Sequence, residues 1–399
     1  MMRNRYFFMR KSLWITQGSI AAGMVMLLAA CHSNTQSNQQ QTGENNISVA
    51  EKIRQAYYKN LHGTVNGKAI TLQLTKSNQH YDGVFFYDSV ARPCTISGIA
   101  DSSGQITLVT YRQYEPLDTF SGSFPQPGVF QGSWSGGGQG QHASFTLQEV
   151  YPEGTFSWQV FYLKDSLLLK PGDSASQRAK IQYSILWPAQ RWQVAAQTMV
   201  QASISRDLLG LHTTVQDAGE VLKNMTDTFF TAYRKAGAEM PPAMQHSSAS
   251  MNWESDVRME VLWNAGNIIS MACNRYEFTG GAHGMSTTRL IVWDMQKLRQ
   301  MTLNDVFKPG YEDTLRAALE KKLRQEYDIP EEVALNDREH GLLFEKHLAL
   351  SQNFYLTGKG IGFIYNPYEV APYAAGPIEL YIPFTELTSV MNPDLVQEH

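Results

Sequence analysis

The feature that most constrains this 399-residue chain is the apolar run that ends just before Cys31. Residues 1–12 carry four basic and no acidic side chains, and a mostly apolar run follows from Leu13 to Ala30. Its uninterrupted part, which begins at Ile20, is too short to cross ~30 Å of hydrocarbon, since that needs roughly 20 apolar residues. This order is typical of a secretory signal peptide, so we expect the rest of the chain to fold outside the cytoplasm.

The residues at the predicted cleavage point, Leu28-Ala29-Ala30-Cys31, resemble the lipobox of bacterial lipoproteins. The resemblance implies removal of residues 1–30, a lipid on Cys31, and a membrane anchor in the bacterial cell envelope, at the periplasmic face or the outer-membrane surface. Several acyl chains make such an anchor durable because each buried methylene contributes ~0.8 kcal/mol. An ordinary signal peptide with a chance cysteine is the alternative.

A polar segment separates Cys31 from the first predicted strand. From His32 to Asn46 there is no large apolar side chain. Because such a segment cannot offset the entropy of ordering by burial, we predict a disordered linker over residues 31–50.

Composition limits the classes of partner. The formal net charge of -4 becomes -8 when the four cations of residues 1–30 are removed. Nucleic acid and anionic headgroups are bound mainly through Lys and Arg clusters, and no such run follows Lys11, so we expect no nucleic-acid partner. Cys94 and Cys273 could pair or remain separate thiols. Neither cysteine has the spacing of a metal or redox motif, and we predict no cofactor and no metal.

Residues 55–150 alternate apolar and polar side chains in short runs, which is typical of β-strands. We predict a small all-β meander or barrel-like module, because closure of the sheet removes exposed strand edges. The pattern resembles the small calycin-like lipoprotein modules of Bacteroidetes. Trp134 and Phe124 either fill the interior of this module or line a ligand mouth. Close backbone approach or tight curvature is predicted at Gly83, Gly98, Gly122 and Gly132.

After Pro152 strands alternate with helices. Strand patterning covers Ala179–Leu186, Trp253–Trp263, Asn267–Phe278 and Thr287–Trp293. Helical spacing covers Ala195–Leu209, Val215–Ala236 and Leu315–Tyr327. We therefore predict an α+β fold class: the all-β module, then an α+β domain with an antiparallel sheet and flanking helices, divided into subdomains at 155–270 and 271–392.

Five blocks in the second part resemble a known family. They are Phe278–Gly284, Leu303–Phe307, Phe354–Gly360, Asn366–Glu369 and Ala371–Pro377. Together they resemble the RsiV-like extracytoplasmic domain of lysozyme-sensing anti-sigma factors, with a partner subdomain also found ahead of polysaccharide deacetylase domains. The resemblance implies an extracytoplasmic recognition module. The chain departs from the family in lacking a sigma-binding segment and a deacetylase-like metal motif, so neither role is carried over.

The candidate ligand-binding residues lie in two of these blocks. Glycines at 280, 281 and 284 around His283 could present several backbone N–H groups to a carboxylate or an acetamido oxygen. The alternative is a tight connection between two strands in which His283 hydrogen-bonds a backbone carbonyl. The proline-stiffened loop that follows carries tyrosines that either contact a ligand or form a buried corner. The candidates are Gly280, Gly281, His283, Gly284, Tyr365, Tyr368 and Tyr373.

Motifs that would indicate catalysis are weaker than the five blocks that resemble the RsiV-like family. His340 and His347 are seven residues apart, a spacing that does not bring them to one metal ion. Gly132–Gly136 places Trp134 where a nucleophile elbow needs serine. We therefore predict a binding or sensor-like protein that recognises cell-wall glycan, lysozyme or another envelope protein without catalysis. The alternatives are an envelope hydrolase that acts on peptidoglycan or polysaccharide through His283, and a structural envelope lipoprotein.

Overall fold

A computed structural model describes residues 48–112, 115–136, 140–213, 215–241, 249–393 and 395. The predicted signal peptide, Cys31 and residues 31–47 of the predicted linker lie outside these ranges. Residues 48–50, the end of that linker, instead begin helix α1 (Val49–Lys52), where Ser48 and Glu51 form a capping box. No helix within the described ranges combines the length and the apolar character that crossing a membrane requires.

The first part of the chain is a closed eight-stranded barrel, which refines the predicted meander or barrel-like module. Each strand pairs antiparallel with the next, and the first pairs with the eighth. The strands are β1 (Arg54–Val65), β2 (Lys68–Ser77), β3 (His80–Tyr87), β4 (Cys94–Ala100), β5 (Ile106–Arg112), β6 (Glu115–Gln126), β7 (Val129–Gly136) and β8 (Gln141–Glu149).

Alternate residues of these strands fill the barrel interior. Trp134 is 3 % exposed, and its Nε1 donates to Asp118 Oδ1 at 2.9 Å, so it is a core residue. Phe124 stacks on Phe130 with ring centroids 5.0 Å apart. Each of the four glycines singled out in the sequence lies where an added Cβ would meet the backbone carbonyl of the neighbouring strand. The predicted close approach is therefore confirmed.

The sheet continues beyond the barrel because β1 is long enough to belong to both parts. Its first residues, Arg54–Tyr57, pair with β9, while Leu61–Val65 pair with β8. The added strands are β9 (Trp158–Leu168), β10 (Arg178–Pro188), β11 (Glu254–Ala265), β12 (Ile268–Phe278), β13 (Met285–Asp294) and β14 (Arg299–Gln300). The described strands of the two parts thus form one fourteen-stranded sheet.

One strand pair departs from the predicted antiparallel sheet. β10 and β11 run parallel, because two helices cross over between them. These are α2 (Val194–Ser203), which continues as a π-helical turn at Ile204–Leu208, and α3 (Ala218–Glu239). Both pack on one face of the sheet and share a core with Val257 and Met259 of β11.

The opposite face of the sheet carries a second layer. It contains α4 (Leu303–Val306), α5 (Glu312–Tyr327) and a small sheet of β15 (Phe354–Leu356), β16 (Gly360–Tyr365) and β17 (Ile378–Pro383). Thr302 and Asp305 form the capping box of α4. The fold is therefore mostly β with a few helices, which is broadly consistent with the predicted α+β fold class.

The barrel exterior packs against this second part. Val84, Phe86 and Ala91 form an apolar cluster with residues of β11, β12, β15 and β17. Beside them, Arg258 of β11 donates to Asp82 of β3 at 2.9 Å. No disulfide joins Cys94, in the barrel, to Cys273, which is buried in β12.

Candidate functional site

The loop between β12 and β13 depends on its glycines. Gly280 and Gly281 both have φ +98°, which side chains with a Cβ rarely adopt. A Cβ at Gly284 would overlap the Tyr276 ring. The loop therefore needs glycine at all three positions, twice for conformation and once for close packing.

His283 stacks with two of the tyrosines from the distant loop. Its ring centroid lies 4.1 Å from that of Tyr373, with 24° between the planes, and 6.5 Å from that of Tyr368. The two tyrosine rings are 5.6 Å apart. We call these three residues the aromatic patch.

Hydrogen bonds to one carbonyl orient the patch. Gly284 O accepts from Tyr373 Oη at 3.0 Å and lies 3.0 Å from His283 Nδ1. Since a carbonyl only accepts, the proton of neutral His283 is on Nδ1 and Nε2 is left as an acceptor. His283 is exposed, and no carboxylate contacts it within the described ranges.

The loop that carries Tyr368 is clamped to β13. Asn366 accepts from Thr288 N at 2.6 Å and donates to Thr288 O at 3.2 Å. Glu369 accepts from Asn366 N at 2.8 Å and from Ser351 Oγ at 3.2 Å. Tyr368 N donates to the carbonyl of Ala371 at 3.1 Å. These bonds hold the loop in one conformation.

Tyr368 is unusual in both conformation and exposure. Its φ is +69°, a left-handed conformation in which bulky residues are rare, and 51 % of its surface is exposed. Such a conformation costs of order 1–3 kcal/mol and persists only where its surroundings impose it. Strained backbone of this kind clusters at functional sites.

Tyr365 lies apart from the patch. It is 1 % exposed, and its hydroxyl donates to Ala349 O at 2.9 Å. Burial raises its pKa above the usual range. The structure thus brings together His283, Gly284, Tyr368 and Tyr373, with Gly280 and Gly281 in the same loop, and directs Tyr365 into the core.

A cluster of charged groups at the barrel junction was not predicted. Burial raises the pKa of Glu260 to about 7, with a further contribution from Asp82, while Arg258 opposes the rise. Burial also raises the pKa values of Asp82 and Asp256. The signal in the sequence is Glu254, Asp256, Arg258 and Glu260, a polar residue at every second position of a strand. Without the fold, that pattern reads as a solvated face.

Metal-binding geometry is absent within the described ranges, where no three His, Cys, Asp or Glu side chains are grouped to hold an ion. His340 pairs with Asp337, and His347 with Glu320. Both histidines lie in the loop between α5 and β15.

Two family models match the second part of the chain. The model described as "Deacetylase PdaC" covers residues 174–286, and that of a "Protein of unknown function (DUF3298)" covers residues 304–385. His283 lies in the first region, and Tyr368 and Tyr373 lie in the second. Over these two regions the chain is therefore similar to PdaC-type and DUF3298 domains.

More distant similarities extend to named proteins. The immunogenic proteins MPT64 of Mycobacterium tuberculosis and MPB64 of Mycobacterium bovis are 25% identical over 122 residues, which is 29% of this chain and 49% of each relative. The chain thus matches about half the length of these curated relatives. A crystal structure of a DUF3298 family member from Bacteroides fragilis superposes with a TM-score of 0.54 at 22% identity, covering 62% of this chain and 99% of that one. This likeness shows the fold alone.

Proposed function

We propose, on the premise of a DUF3298/PdaC-type extracytoplasmic family, that the protein binds an envelope ligand through the aromatic patch and does not catalyse a reaction. In this proposal Cys31 carries the lipid anchor, and the ligand is cell-wall glycan, lysozyme or another envelope protein. RsiV-like recognition is part of the same proposal, because three of the five sequence blocks, Phe278–Gly284, Asn366–Glu369 and Ala371–Pro377, contribute to the patch and its clamp.

The observation that carries the proposal is the exposed, strained and clamped Tyr368. A side chain needed only for packing would be buried, whereas Tyr368 remains half-exposed at φ +69°. Tyrosine contributes a large contact area with few rotatable bonds, and a loop fixed before binding loses little entropy on binding. Both properties favour recognition at this position.

The surroundings of His283 favour binding over hydrolysis. A general base needs a reacting group within reach and is usually oriented by a second polar group with a matched role. His283 instead contacts a backbone carbonyl and two tyrosine rings. This arrangement supplies stacking area and one hydrogen-bond acceptor.

Replacement of Tyr368 tests the proposal. We expect the full chain to be retained by immobilised peptidoglycan or immobilised lysozyme, and Tyr368→Ala to lower the affinity at least about tenfold, as loss of a central tyrosine does at interfaces. Tyr111→Ala is the matched control, because Tyr111 is an exposed tyrosine on the barrel. Retention on neither matrix, or equal losses in the two variants, would contradict the proposal.

His283→Ala separates binding from hydrolysis. A hydrolase would lose turnover of murein fragments in this variant, whereas a binding protein would show only a change in affinity. Turnover by the unmodified chain that disappears in the variant would favour the enzyme.

A further inference from the structure

A cavity of about 200 Å³ lies between the barrel and the β11–β12 hairpin, independent of the aromatic patch. We call it the seam cavity. The barrel contributes His62, Thr71, Gln73 and Phe86 to its lining, and the hairpin contributes Trp263 and Asn264. None of the predicted ligand-binding residues is in this lining.

A chain of hydrogen bonds fixes the protonation of His62. Thr71 Oγ1 donates to Asp88 Oδ1 at 2.8 Å and lies 3.1 Å from His62 Nδ1. Because the hydroxyl has one proton and gives it to Asp88, it accepts from His62 Nδ1–H. Burial lowers the pKa of His62, although Asp88 opposes this, and the ring is neutral at neutral pH. Its Nε2 is therefore a hydrogen-bond acceptor.

His62 Nε2 and Trp263 Nε1 are both buried and have no hydrogen-bond partner within the described ranges. The Trp263 ring is held at a β-bulge of β11, with its centroid 5.3 Å from that of Phe86. An indole N–H can only donate. The lining of the seam cavity thus leaves one acceptor and one donor unsatisfied.

The neighbouring amides are already oriented. Asn264 donates to Tyr58 Oη at 3.2 Å and to Phe156 O at 2.7 Å, and it accepts from Phe156 N at 2.9 Å. Tyr58 Oη in turn donates to Gln73 Oε1 at 2.7 Å. Because Gln73 Oε1 accepts this hydrogen bond, the Gln73 NH₂ group is the part of the amide that can donate to another partner.

We infer that the seam cavity binds a small neutral amide, whose N–H donates to His62 Nε2 and whose carbonyl accepts from Trp263 Nε1 and Gln73. A carboxylate only accepts and would be repelled by Asp88, while an ammonium only donates and would leave Trp263 unsatisfied. The faces of Phe86 and Trp263 pack against the apolar part of the amide.

A titration of the full chain with acetamide, acetate and propan-2-ol, which are similar in size, tests the inference by NMR. Acetamide is expected to shift the Trp263 Nε1–H signal and the backbone amides of Thr71 and Asn264 in a saturable way, and acetate is not. The absence of a saturable shift with acetamide, or stronger binding of acetate or propan-2-ol, would overturn the inference.

Two tryptophan variants sharpen this test. Trp263→Phe keeps an aromatic ring beside Phe86 and removes the donor, so acetamide affinity, followed at Thr71, should fall about tenfold, the change that 1.4 kcal/mol produces. Trp293→Phe is the control, because Trp293 Nε1 is also buried without a partner in the described chain but lies outside the cavity. Unchanged affinity in Trp263→Phe would overturn the inference.

Two larger probes identify the source of the amide. N-acetylglucosamine carries it on a sugar, and N-acetylalanine amide carries it on a peptide. Tighter binding of the first supports a glycan source, and tighter binding of the second supports a peptide source.

Discussion

Gly132 of the barrel and Tyr368 of the aromatic patch differ in how well the residue type suits its position. In the barrel, glycine occupies positions such as Gly132, where a Cβ would meet the neighbouring strand. In the patch, a bulky tyrosine occupies φ +69°, where glycine would be easiest to accommodate. Glycine at position 132 thus avoids a steric clash, while tyrosine at position 368 adds a conformational cost.

The difference distinguishes residues that stabilise the fold from residues whose conformation or burial costs free energy. A costly conformation is retained when the structure around it imposes it, and the clamp formed by Asn366 and Glu369 does so. Burial of Glu260 at the barrel junction also costs free energy, in this case because the carboxylate is desolvated and not because the backbone is strained. Three substitutions test the comparison.

The largest effect is expected in the barrel. Gly132→Ala places a Cβ against Ser121 O and the Gly122 backbone, and the strands must separate to admit it. We expect a loss of about 3 kcal/mol in the free energy of unfolding, at the upper end of overpacking effects. Urea denaturation measures it, with Ser133→Ala at an exposed position of the same strand as the control. A loss equal to that of the control would mean that the strands are not held so closely.

A smaller effect is expected at Glu260 and depends on pH. Because its folded pKa, about 7, is raised above the ordinary value near 4.5, the folded protein binds this proton more tightly than the unfolded chain does. Its contribution to stability is therefore fully present below about pH 4.5 and is lost as the pH rises to about 7.

Glu260→Gln removes this pH dependence. We expect the variant to be more stable than the parent by about 2 kcal/mol at pH 8, with the difference vanishing below about pH 4.5. Denaturation at both pH values measures it, and Glu153→Gln, at an exposed position, is the control. A variant less stable than the parent at pH 8 would show that the charged carboxylate stabilises the junction with Arg258.

The smallest effect on stability is expected at the patch. Tyr368→Gly removes the conformational penalty at φ +69° but also loosens the unfolded chain, so we expect a gain of at most about 1 kcal/mol. The same variant should lose ligand retention as Tyr368→Ala does. Thermal unfolding and the retention assay measure the two quantities. Loss of both stability and retention would make Tyr368 a structural residue and remove the contrast with the barrel.

The candidate site was predictable in part. The glycine pattern located the loop at His283, and the prolines located the tyrosine loop, because both residue types restrict the backbone locally. The sequence did not predict which tyrosine is exposed, because Tyr365 and Tyr368 are only three residues apart in the predicted tyrosine loop. The seam cavity was invisible in the sequence, because His62 and Trp263 meet only when the hairpin packs on the barrel.

The sequence by itself determined the local features: the alternation of the barrel strands, the glycines at close approaches, and the capping box at Thr302 and Asp305. These depend on neighbouring residues and on the strand period of two. Only the tertiary structure decided that β1 pairs with both β8 and β9, that β10 and β11 run parallel, and that His283 stacks on Tyr373. Those contacts join residues far apart in the chain, and their free energy depends on the packing of the whole fold.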